Sequence, residues 1–110
     1  MLLYGLIGYP LTHSFSKNYF TEKFKKEGIK NCSYENFPLA HIDELLKIIH
    51  ENANLQGLNV TIPYKESVLP FLSESNEIVR EIAACNCIKI EGAKLIGYNT
   101  DVIGFEKSLL

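Results

Sequence analysis

The chain has 110 residues, a formal net charge of −2 and 46% hydrophobic residues. That is about one domain, apolar enough to bury a core without disulfide or metal staples. The balance excludes a basic nucleic-acid footprint and a charged tail. The longest uncharged stretch, Met1 to Ser16, is too polar to span a membrane. Met1-Leu2-Leu3 lacks the basic start and cleavage site of a secretory leader. Three cysteines make a poor disulfide framework and fit reduced thiols in a cytoplasmic protein.

Leu2 to Ile7 reads as a strand covered on both faces, closed by Gly8-Tyr9-Pro10. Ser14 and Ser16 are each suited to cap the helix that follows, which carries Phe20 and Phe24 four residues apart and stops at Gly28. A helix start attracts anions through its free N–H groups and its dipole, and two hydroxyls there suit a carboxylate; plain capping would explain them as well. Cys32 to Phe37 alternates weakly, as a second strand ended by Pro38. Ile42, Leu45, Leu46 and Ile49 mark one face of a helix.

After turn chemistry at Asn52 to Gly57 comes the stretch around which the chain is organised, Gly57-Leu58-Asn59-Val60-Thr61-Ile62-Pro63-Tyr64-Lys65-Glu66. On a strand Asn59 and Thr61 share a face. Pro63 ends the strand and opens a short helix, Tyr64 to Leu69, with Lys65 at its mouth and Pro70 as its end. Ligands of open α/β sheets bind at the carboxyl ends of strands. Ser73 to Ile82 reads as a helix capped by Ser73 or Ser75, with Ile78, Val79 and Ile82 inward. Cys87 to Ile90 and Ala93 to Ile96 flank Glu91-Gly92 as a hairpin, broken by Gly97-Tyr98-Asn99-Thr100-Asp101. A last helix starts near Asp101 and reaches Leu110 without a stop signal, which reads as a cut between domains.

Strands alternating with helices predict an α/β fold in three layers: an open, mostly parallel sheet, helices on both faces, and an antiparallel hairpin forming a local edge. Lys65 and Asp101 both follow strands. If their loops share one rim, an amine and a carboxylate face one hydroxyl, a workable pair for moving a proton, with the amine keeping the carboxylate ionised. Asp101 serves equally as an N-cap. Asn86 opens the hairpin and either donates to a ligand or satisfies the turn. Cys85 and Cys87 lack a matching pair for zinc, and the three histidines have no ligand spacing, so no metal is expected. There is no Gly-x-Ser-x-Gly elbow and no Gly-x-Gly-x-x-Gly dinucleotide fingerprint.

Three patches together, Gly8 to Ser16, Asn59 to Glu66, and Ala84-Cys85-Asn86 with Gly97-Tyr98-Asn99-Thr100-Asp101, resemble the substrate-binding domain of the shikimate dehydrogenase family. The resemblance implies a domain, residues 1–110, that binds shikimate or 3-dehydroshikimate for NADP-dependent interconversion in aromatic amino acid (chorismate) biosynthesis. The NADP-binding Rossmann domain would lie outside this chain. It implies that Ser14 and Ser16 hold the substrate carboxylate and that Asn59, Thr61 and Asn86 bond the ring hydroxyls. Lys65 would be the proton donor and acceptor, and Asp101 would orient the reacting hydroxyl. Lys17, Cys87 and Val102 depart from the proline, threonine and glycine usual in the family. The expected partner is the small-molecule substrate, with neither nucleic acid nor membrane, and an apolar docking face leaves room for a homodimer. The competing readings are a quinate/shikimate dehydrogenase and a non-catalytic shikimate-binding module.

Overall fold

The computed structural model describes residues 1–11 and 15–99, the side chains of 15 and 16 excepted. The predicted final helix therefore lies outside the described residues. Strand β1 (Leu2–Gly8) leads to helix α1 (Phe15–Lys26), β2 (Cys32–Pro38), α2 (Glu44–Glu51) and β3 (Leu55–Val60). A 3₁₀ turn (Leu69–Phe71), the short β4 (Glu74–Ser75), α3 (Glu77–Ile82) and the hairpin strands β5 (Cys87–Glu91) and β6 (Lys94–Tyr98) follow.

The strands form one sheet in the order β2-β1-β3-β5-β6-β4. β1 runs parallel to both β2 and β3, while β5 is antiparallel to β3 and to β6. The mixed, mainly parallel half and the antiparallel hairpin are thus as expected, but the hairpin is not the edge. β4 pairs in parallel with β6 and caps that side of the sheet. The breaker expected from Gly97 to Asp101 is also corrected at its start, since β6 runs through Gly97 and Tyr98. A Cβ on Gly97 would lie 2.4 Å from Leu72 Cδ1, so the missing side chain serves packing beneath a continuous strand.

Alternation along β1 divides the core into two layers. Leu3 and Ile7 pack with Leu58, Val60, Ile88, Leu45 of α2 and Val79 of α3. Tyr4 and Leu6 face the opposite way, against Phe20 and Phe24 of α1, Tyr34 and Cys87. α1 ends as predicted at Gly28, whose φ of +65° suits glycine. The N–H of Ile29 donates to the Phe24 carbonyl and that of Gly28 to Lys25, and Ile29 packs in the same cluster as Phe24.

Three local expectations are revised. On α2 the inward residues are Leu45, Ile48 and Ile49, whereas Leu46 is exposed. α3 begins at Glu77 rather than Ser73; its cap is Asn76, whose side chain accepts from the Val79 N–H at 3.0 Å. Ser73 instead accepts at Oγ from the N–H of Leu95, and of the three predicted inward residues only Val79 is buried, with Ile78 and Ile82 exposed. Residues 65–68 form turns rather than an α-helix, and Pro70 lies inside the 3₁₀ turn rather than ending a helix.

Candidate functional site

Four of the seven predicted site residues have described side chains, and the backbone ties their segments to one end of β3. Asn59 is the penultimate residue of that strand, and Thr61 follows it directly. The Thr61 N–H donates to the Ile7 carbonyl of β1 at 3.0 Å, and the Val60 N–H donates to the Asn86 carbonyl at 2.8 Å. Asn86 in turn donates its N–H to the Tyr98 carbonyl at 3.1 Å. The Lys65 carbonyl accepts the N–H of Cys85 at 2.8 Å. The turn carrying Lys65, the end of β3 and the approach to β5 are therefore joined edge to edge. Asn59, Thr61 and Asn86 are half-buried and Lys65 is exposed.

The Lys65 turn has a fixed base. Tyr64, on one side, is buried and donates its hydroxyl to the Leu39 carbonyl; Val68, on the other, is fully buried. Between them three consecutive residues, Lys65 to Ser67, are exposed. Gly8 closes the neighbouring turn, where a Cβ would lie 2.5 Å from Thr61 Cγ2 and 3.0 Å from the Ile62 carbonyl. The absent side chain at Gly8 lets Thr61 and Ile62 approach the backbone closely.

Ladder register places Leu6, Asn59, Cys87 and Tyr98 in one row across the α1 face of the sheet. Asn59 donates through Nδ2 to the Tyr34 hydroxyl at 2.8 Å, a contact two strands away that the sequence pattern did not reveal. Asn99 Nδ2 donates to the Ala84 carbonyl at 3.1 Å, tying the segment after β6 to the Asn86 approach. Ser14 and Asp101 lie outside the described residues, as does the side chain of Ser16, whose backbone belongs to the first turn of α1. Among the described residues no His, Cys, Asp and Glu group could hold a metal ion.

All three thiols are free, and Cys85 and Cys87 are buried. Burial, reinforced by the neighbouring Cys85, pushes the Cys87 thiol up to about 12 from an ordinary value near 9. Burial likewise raises Cys85, Tyr4 and Tyr64. The unfolded chain releases these protons first, so the stabilisation is complete below pH 9 and disappears as pH climbs toward 12. Guanidinium melts should show the midpoint falling in alkali, and Cys87→Ala should flatten that fall. A midpoint equal at neutral pH and at about pH 11 would contradict the burial of these groups.

The family model described as the shikimate dehydrogenase substrate binding domain matches residues 6–88. A shikimate dehydrogenase (NADP(+)) of Halothermothrix orenii is 45% identical over 108 residues, covering 96% of this chain and 36% of that protein. Among solved structures, shikimate dehydrogenase from Aquifex aeolicus superposes with a TM-score of 0.81 at 39% identity, covering 99% of this chain and 41% of that one. The ligand-free 5-ketofructose reductase of a Gluconobacter strain gives 0.82 at 29% identity, covering 98% and 39%. The chain thus spans about two-fifths of the length of the relatives it matches. With its sheet order, its joined loops at the end of β3 and these matches in agreement, the chain belongs to the shikimate dehydrogenase substrate-binding domain family.

Proposed function

We propose that this chain is the substrate-binding part of an NADP-dependent shikimate dehydrogenase, which reversibly reduces 3-dehydroshikimate to shikimate. The observation that carries the reading is the mutual tethering of the Asn59–Thr61, Lys65 and Asn86 segments at the carboxyl end of β3. Ser14 and Ser16, at the start of α1, receive the carboxylate, where free N–H groups favour an anion. Asn59, Thr61 and Asn86 bond the ring hydroxyls. Reduction of a ketone to an alcohol needs a proton at oxygen, and Lys65 supplies it; in the reverse direction Lys65 takes the proton from the hydroxyl. Asp101 orients that hydroxyl. Asn99, fixed to Ala84, supports this placement, because two residues of chain reach no more than about 7 Å.

NADP supplies the hydride when bound. The nucleotide is held by the part of the relatives that this chain does not span. Three free thiols fit a reducing, cytoplasmic setting, and no described helix is long and apolar enough to cross a membrane. Exposed Ile78 and Ile82, one turn apart on α3, fit a homodimer contact, with neither nucleic acid nor membrane as partner.

Calorimetric titration of the 110-residue chain should show weak shikimate binding, and mixing with NADP and shikimate should generate no NADPH. Absence of any shikimate binding, or robust hydride transfer by the chain alone, overturns the reading. The likeness to 5-ketofructose reductase favours including 5-ketofructose in the same titration, with quinate added for the competing reading. Preference for either over shikimate would reassign the substrate.

A further inference from the structure

We infer that Tyr34 is a positioning residue for substrate recognition, its hydroxyl holding the Asn59 side-chain amide in one orientation. The inference rests on the proposed role of Asn59 toward a ring hydroxyl. A side-chain amide has chemically different ends, and a rotation of half a turn exchanges them. Here Nδ2 gives one of its two N–H groups to the Tyr34 hydroxyl at 2.8 Å, which leaves Oδ1 and the second N–H for a ligand.

Tyr34 is built to hold that position. It is 2% exposed, and its ring stacks on Phe20 with centroids 4.9 Å apart and planes 17° apart. Phe20, itself 1% exposed, belongs to α1, the helix that begins at the proposed carboxylate site. The same buried cluster therefore supports both ends of the substrate site. A tyrosine needed only for packing would not require its hydroxyl on Asn59, because phenylalanine fills the same space.

The test uses the longer enzyme that carries its nucleotide-binding part, with Tyr34→Phe, Asn59→Ala and the double variant. Tyr34→Phe is expected to raise KM for shikimate about three- to tenfold, the scale of one net hydrogen bond, with kcat within about twofold. In the Asn59→Ala background the same change should add nothing, because the group that it positions is gone. In nitrogen-15 NMR spectra, the Asn59 Nδ2 protons should shift and exchange faster in Tyr34→Phe. If Asn59→Ala raises KM while Tyr34→Phe does not, the positioning role fails and the substrate contact stands. If Tyr34→Phe raises KM equally with and without Asn59, the hydroxyl acts through packing and the inference fails. If Asn59→Ala leaves KM unchanged, the proposed contact fails and the inference with it. Should Tyr34→Phe fold poorly, an unchanged Asn59 side-chain resonance in the soluble fraction still refutes the inference.

Discussion

Lys65→Ala in the longer enzyme is expected to lower kcat by about 10²–10⁴, the usual effect of losing a general acid–base group. Its thermal midpoint should stay within about 2 °C, since surface substitutions of this kind usually change stability little. The two outcomes separate chemistry from folding because the Lys65 side chain is exposed, while its structural bond is made by the backbone carbonyl to Cys85. Alanine keeps that carbonyl. The turn stays anchored by Tyr64 and Val68, so the loss falls on the proton and not on the loop. Steady-state rates with shikimate and NADP, with a melt on the same preparation, decide it. A rate within about threefold of the parent would remove Lys65 from the reaction.

Gly5→Ala should act in the opposite sense, on the fold first. A Cβ at this position would lie 2.5 Å from Phe37 Cε2 and 2.7 Å from the Glu35 carbonyl oxygen. The ring can turn away. The carbonyl cannot, because it belongs to β2, which pairs with β1 along its whole length. β1 is also an inner strand, held by β3 on its other side, and so has nowhere to retreat. We expect a loss of about 3 kcal/mol, the upper range for overpacking, and a thermal midpoint lower by more than about 10 °C. Circular dichroism melts would check this, and a fall smaller than about 3 °C would mean that the two strands separate more easily than their pairing implies.

The sequence made the strongly patterned segments legible. β1, β2, the Gly28 stop and the hairpin around Gly92 each rest on local chemistry: an apolar run, a proline, or a residue at positive φ. The failures share another cause. β4 has two residues and no period to detect, and it exists because β6 offers it an edge. Ser73 resembles a helix cap until β6 approaches and uses its hydroxyl as an acceptor. Gly97 resembles a breaker until Leu72 fills the space above it. For the site, polar residues after strands were readable one by one, but Tyr34 was not. Its link to Asn59 crosses β1, and strand order is not written in any single segment.

That strand order bears on how the domain is made. Residues emerge from a ribosome in numerical order, yet Asn86 is fixed by the carbonyl of Tyr98, and Ala84 by the amide of Asn99. A nascent chain showing only its first eighty-odd residues holds β1, β2 and β3 without the partners that order the rim at the end of β3. Ordering of this rim is thus deferred until residues 98 and 99 have been synthesised, and a product terminated before them would carry β1, β2 and β3 without the bonds that fix Asn86 and Ala84.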